Sequence, residues 1–230
     1  MRMKTHQEEM LPASGSEDKN KAQKQVVLYA LSMAFGTFAS RVLGLVRDMA
    51  LTALFSRTIT DAWAAAFRLP NLFRRLLGEG SLSVSFIPIF VDARIEGGKT
   101  GSDARAQNLI NSFYTLLLLV LTVLTAVGII WMEPLLRLLL EEKYQSLPGA
   151  FELTVRMGRI MFAFIFLMSN YAFFMGILNA FGKYTLAAMA PALFNVAMLV
   201  STVVPSSLFP EAGDSLAWGV IVGGILQAGV

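Results

Sequence analysis

The sequence predicts an all-α polytopic membrane protein of about six transmembrane helices, and three observations lead there. The 230 residues are 55% apolar and only 15% charged, with a mean hydropathy of +0.60. A soluble domain carries about 25% charged residues, so this chain has too little charge to cover a water-soluble globule. Six apolar stretches approach the length of about 20 residues that a helix needs to cross a bilayer core of about 30 Å. None of them alternates polar with apolar residues as a barrel strand does, and backbone polar groups in lipid must be satisfied within the segment, which leaves helices. The same composition excludes other classes. With no cysteine and a single histidine, His6, the chain offers no thiolate or histidine-rich metal site, no cysteine nucleophile and no His-based triad. Its net charge of +3 is small and scattered, which speaks against a nucleic-acid partner. No GxxxxGK[ST] loop is present, and neither a metal nor a cofactor is expected.

The elements follow in order. Residues 1–24 are polar, with Lys4, Glu8, Glu9, Glu17, Asp18, Lys19, Lys21 and Lys24, and read as a disordered cytoplasmic tail. Residues 25–230 read as one transmembrane lobe, with helices over about 26–46, 61–91, 109–131, 153–180, 184–204 and 216–230. Short polar breaks separate these stretches, and continuous runs such as Leu116 to Val120 mark their interiors. The sixth stretch has few residues left before Val230, so the lobe is expected to be cut short: a fragment, a split gene or an engineered truncation.

Loop charges set the orientation. With the N-terminus in the cytoplasm, the inside carries Arg2, Lys4, Lys19, Lys21, Lys24, Arg94, Lys99, Arg105 and Lys183, against Arg47, Arg57, Arg137 and Lys143 outside. That imbalance predicts a cytoplasmic N-terminus.

The candidate functional residues are charges that lipid would penalise. An ionisable side chain at the centre of a spanning helix costs about 2.5–3.5 kcal/mol on insertion scales. The first helix nonetheless contains Arg41 and ends in Arg47-Asp48, and the second contains Asp61, Arg68, Arg74, Arg75 and Glu79. Arg41 and Asp48 are seven apart and share one side of a helix, as do Asp61 and Arg68. Pro70 removes a helical hydrogen bond and is expected to kink the second helix. A kinked, charged helix of this kind lines the midplane cavity of many transporters. Plainer readings compete at several positions. Arg57 and Arg47 can snorkel to the headgroups, Arg75 and Glu79 can pair with each other, and Arg156 and Arg159 read as interfacial. The twelve methionines read as gap-filling and lipid-facing surface, and Gly176, Gly182, Gly223 and Gly224 as close-packing positions. Arg41 and Arg74, well inside apolar sequence, resist such readings most. A cavity lined by guanidinium groups suits diphosphate or carboxylate oxygens.

The run Ser40-Arg41-Val42-Leu43-Gly44-Leu45-Val46-Arg47-Asp48 resembles the first helix of the MurJ (MviN) lipid II flippases. So do Thr60-Asp61-Ala62, the segment Phe67-Arg68-Leu69-Pro70-Asn71-Leu72-Phe73-Arg74-Arg75, Gly78-Glu79-Gly80 and Phe86-Ile87-Pro88. Gly176-Ile177-Leu178-Asn179-Ala180 and Ala190-Pro191-Ala192-Leu193-Phe194-Asn195 are similar to the same family, and the likeness extends from about Val27 to Val230. The resemblance implies the N-terminal lobe of a V-shaped, two-lobe flippase of the multidrug/oligosaccharidyl-lipid/polysaccharide exporter superfamily. It implies a transporter rather than an enzyme, in the bacterial cytoplasmic (inner) membrane. The implied activity moves the undecaprenyl-diphosphate-linked peptidoglycan precursor lipid II from the inner to the outer leaflet by alternating access. Arg41, Arg47, Asp48, Asp61 and Arg74 match the family's cavity residues. Arg47 with Asp48 and Arg74 is expected to bind or position the diphosphate, and Asp61 to influence gating or cavity electrostatics. The implied partners are lipid II, the bilayer and a missing C-terminal lobe or second chain. Two further readings stay open: a flippase for another polyprenyl-linked glycan, and a non-transporting half-protein that acts only with a partner chain.

Overall fold

The computed structural model describes residues 14–76, 88–89, 91–93, 95–96, 104–180 and 184–229. Among these residues every regular element is helical: α1 (Ser14–Leu54), α2 (Arg57–Arg74), α3 (Ala104–Ile130), α4 (Met132–Leu139), α5 (Glu142–Gln145), α6 (Ala150–Phe162), α7 (Phe164–Ala180), α8 (Tyr184–Val203) and α9 (Asp214–Ala228), with a single 3₁₀ turn at Ser206–Leu208. Gln107–Ile130 and Ala150–Leu178 are long and apolar enough to cross a membrane, and Ala190–Val203 and Asp214–Ala228 are shorter apolar helices.

Several boundaries differ from the expectation. α1 begins at Ser14, inside the stretch expected to be a disordered tail. Glu, Lys, Ala and Gln are good helix formers, and extending an existing helix incurs no nucleation cost. At its other end α1 runs on to Leu54, so Arg47 and Asp48 sit within the helix rather than at its end. The reason is the Met49-to-Leu54 run, which contains no breaker before Ser56 takes up extended backbone. α2 passes through Pro70 without interruption and closes in a π-helical turn at residues 75–76, a feature that recurs at functional sites. Its expected extension to residue 91 falls largely outside the described residues, as do residues 1–13, the Gly78-Glu79-Gly80 and Phe86-Ile87 parts of the family pattern, Arg94, Lys99, Gly182, Lys183 and Val230.

Local chemistry accounts for the remaining breaks. Pro134 cannot donate to the carbonyl of Ile130, and the chain turns at Trp131 into the short α4. The expected 153–180 helix is two helices, α6 and α7, separated by Ala163. α6 starts after Gly149 and α9 after Gly213, both in left-handed backbone at φ +74° and +98°.

α8 lies along α1 on one side and α9 on the other, while α2 lies along α6; α9 also meets α6 and α7, and α3 meets the same pair. Two apolar cores result. One joins Leu117 and Leu121 of α3 to Met132, Leu136, Phe162 and Phe173. The other joins Ala62 and Ala66 of α2 to Met157, Met161, Met198, Ala217 and Val220. Four methionines, Met132, Met157, Met161 and Met198, are fully buried and fill space, whereas Met49 is exposed. Glycines permit close approach along α9: a Cβ at Gly223 would meet Phe194 of α8 at 2.7 Å, and one at Gly224 would meet Phe164 of α7 at 3.0 Å. Large apolar side chains face outward on α1 (Leu31, Phe35, Phe38, Leu45) and α3 (Leu116, Leu119, Val123), as a lipid solvent requires.

Candidate functional site

Arg47 is held on both sides. Its side chain is 19% exposed, and its Nη1 donates to Oδ1 of Asn195 on α8 at 2.9 Å. Its Nε and Nη2 meet Oδ1 of Asp48 at 2.9 and 2.8 Å. Asn195 is itself buried, and its Nδ2 donates to the Ser40 carbonyl at 2.8 Å and to Ser40 Oγ at 3.2 Å. Gly44 faces this contact: a Cβ there would stand 3.7 Å from Asn195 Nδ2, at ordinary van der Waals distance. Asn195 thus ties two turns of α1 to α8 and aims the Arg47 guanidinium, while Asp48, 59% exposed, leaves a carboxylate edge open. A guanidinium held this way keeps donors pre-aimed for an anion.

The other candidates stand in separate local groups. Arg41 is exposed and lines a recess with Ala34, Thr37 and Phe38 of its own helix. The seven-residue spacing leaves Arg41 and Asp48 alike in exposure on α1. Arg47 turns inward, while Arg41 and Asp48 both remain exposed. Asp61 pairs with Arg57 at 3.6 Å and lines a recess of about 350 Å³ with Arg68, Glu141 and Tyr144. Here the spacing of seven does bring Asp61 and Arg68 to one wall. Tyr144 Oη shares a 2.8 Å hydrogen bond with Thr154 Oγ1. Burial pushes the Tyr144 phenol above its ordinary value and outweighs the lowering by Thr154; Asp61 adds to the rise and Arg68 opposes it. Arg74 is partly buried, and its Nε donates to Oδ1 of Asn71 at 3.1 Å. The expected Arg75–Glu79 pair involves a residue outside those described.

Two features have no counterpart in the sequence reading. Asn195 has no role there beyond membership of a family motif, because nothing local shows that it meets an arginine 148 residues away. Arg156, read as interfacial, makes a forked ion pair with buried Asp214 of α9. Among the described residues no group of three or more metal-ligating side chains occurs.

A family model described as lipid II flippase MurJ matches residues 50–230. The chain is 58% identical over 217 residues to a probable lipid II flippase MurJ of Bdellovibrio bacteriovorus, covering 94% of this chain and 40% of that protein. It is 37% identical over 198 residues to the lipid II flippase MurJ of Burkholderia cenocepacia, covering 86% of this chain and 37% of that one. A solved structure of lipid II flippase MurJ in an inward closed conformation superposes with a TM-score of 0.65 at 24% identity, over 85% of this chain and 40% of the other. The chain therefore spans about 40% of the length of these relatives.

Proposed function

The chain belongs to the lipid II flippase MurJ family, and from that premise we propose that it forms the N-terminal lobe of a transporter that flips lipid II across the cytoplasmic membrane. The observation that supports this reading best is the Arg47 arrangement: a guanidinium fixed between Asp48 and Asn195, in a helical membrane fold, with polar atoms left for an incoming anion. Arg47 with Asp48 would hold the diphosphate of the lipid head, and Arg74 would position it. Arg41 and Asp61 would contribute to the polarity of the same aqueous cavity once the second lobe, on the same chain or a partner, faces this one. Alternating access then follows from rocking of the two lobes, provided the head binds the inward-open and outward-open states with different affinity. No bond in the substrate is made or broken. The N-terminus lies on the cytoplasmic side in this reading, following the loop charges.

Depletion of the native flippase, with rescue by the whole protein carrying Arg47→Ala or Arg74→Ala, tests the proposal. Loss of rescue at unchanged expression is the expected result, and full rescue by both variants refutes the site assignment. Competition in vesicles between lipid II and another polyprenyl-diphosphate glycan separates this substrate from the alternative glycan carriers, which share the diphosphate contact.

A further inference from the structure

A second charged cavity lies away from Arg47, between α4, the start of α6 and the turn before α9, with a volume of about 800 Å³. Glu152, Arg156 and Arg159 follow one another along α6 at spacings of four and three, which places them on one exposed helix face. Two of the cavity's three arginines are already engaged: Arg137 bonds Glu133 at 2.9 Å, and Arg156 holds Asp214 through Nε and Nη2. Among the described residues the side chains of Arg159, Glu152 and Glu211 form no ion pair or hydrogen bond, although the Glu211 carboxylate stands near enough to favour the charge on Arg156, and Nη1 of Arg156 is likewise unused. The cavity thus presents guanidinium nitrogens and two carboxylates without hydrogen-bond partners beside the apolar Leu153 and Ile160. Charge at the flank of a spanning helix is costly when unanswered. A purely anionic or purely cationic ligand would answer only half of it.

The order of the signs along α6 narrows the ligand. Glu152 occupies the first turn of the helix. Arg159 lies seven residues deeper, about 10 Å by helical rise, with a side chain long enough to reach back toward the interface. An aminophospholipid has the same polarity: its ammonium lies on the water side of its phosphate, and its acyl chains on the other. We propose that this cavity binds the headgroup of a phospholipid bearing a primary amine. The phosphate accepts from Arg159 and from Nη1 of Arg156. The ammonium donates to Glu152 and Glu211, and the first acyl carbons lie against Leu153 and Ile160. A quaternary ammonium has no N–H to donate, and a glycerol headgroup has no positive charge, so both fit less well.

Native mass spectrometry of the full chain, released from micelles containing equal amounts of dioleoyl phosphatidylethanolamine, phosphatidylcholine and phosphatidylglycerol, tests the assignment. The expected result is a preference of about tenfold for phosphatidylethanolamine. Arg159→Ala should abolish that preference, and Glu152→Gln should move it toward phosphatidylglycerol. Both side chains are exposed, so neither change should lower the melting temperature. Equal binding of the three lipids, or a preference untouched by both substitutions, overturns the proposal. Displacement of the lipid by soluble glycerophosphoethanolamine at matched concentration also overturns it, by assigning the site to a free phosphoamine.

Discussion

Arg156 holds Asp214 across 58 residues of chain, its Nε 3.0 Å from one carboxylate oxygen and its Nη2 2.8 Å from the other. The pair fastens α6 to the first turn of α9, and its two halves differ sharply in environment: Asp214 is 1% exposed and Arg156 42%. Removing the arginine leaves a buried carboxylate unpaired, whereas removing both charges does not. Arg156→Ala should therefore cost about 3 kcal/mol, the low end of the range for breaking a buried pair, because water reaches the arginine side. The double variant Arg156→Ala/Asp214→Asn should recover most of that loss. Thermal unfolding of the wild type and these two variants in detergent measures it, and equal destabilisation by the single and double changes refutes a paired role.

Asn195 is the hinge of the second prediction. It receives one hydrogen bond from Arg47 and donates to Ser40, so one side chain sets both the α1–α8 contact and the direction of the guanidinium. Asn195→Ala should leave the chain folded but Arg47 loosely placed. Losing a hydrogen bond to a charged group is worth about 1.5–3 kcal/mol, so flippase rescue should fall to nearly the level of Arg47→Ala. Rescue equal to wild type would show that Asn195 does not position Arg47.

How far the sequence carries the reading depends on the range of each signal. The helical membrane class was legible because composition and apolar run length are local. The Asp61–Arg68 wall was legible because seven residues return a helix to the same side. Arg47 could be selected as a charge that lipid would reject, yet its partner Asn195 could not, since no spacing rule spans two helices. Arg156 failed for the same reason. Near a helix start, an arginine looks interfacial until Asp214 is seen across the bundle. Arg41 and Asp48 share exposure, as a spacing of seven requires, but which side of α1 meets the bundle is decided by α8, and α8 meets Arg47.

A third prediction concerns packing. Gly128 of α3 lies directly beneath the Phe162 ring of α6, so closely that an added Cβ would overlap Cε1 of that ring. Phe162 is 1% exposed and has little space to move aside. Gly128→Ala should destabilise the bundle by about 1–3 kcal/mol, the usual cost of overpacking. Combining it with Phe162→Leu should restore part of the loss, because the smaller side chain vacates the overlap. Melting temperatures of the two singles and the double decide the matter, and strictly additive losses would argue against the contact.

A final prediction follows from Tyr144, which lines the recess containing Asp61 and Arg68. Burial raises its phenol above the ordinary value of 10.0, so the folded chain keeps the proton after an unfolded chain would release it. The sign of the linkage is then definite. The neutral phenol's contribution is complete below pH 10.0, the unfolded reference. It is lost as pH rises through the folded value, because the unfolded state binds fewer protons in that window. Stability measured by denaturant titration should thus fall as pH rises from 10.0 through the folded value, and Tyr144→Phe, which does not titrate, should remove this component of the slope. The same substitution also deletes the hydrogen bond to Thr154, costing about 1 kcal/mol at neutral pH. An unchanged alkaline slope in Tyr144→Phe would show that the phenol is not held neutral by its burial.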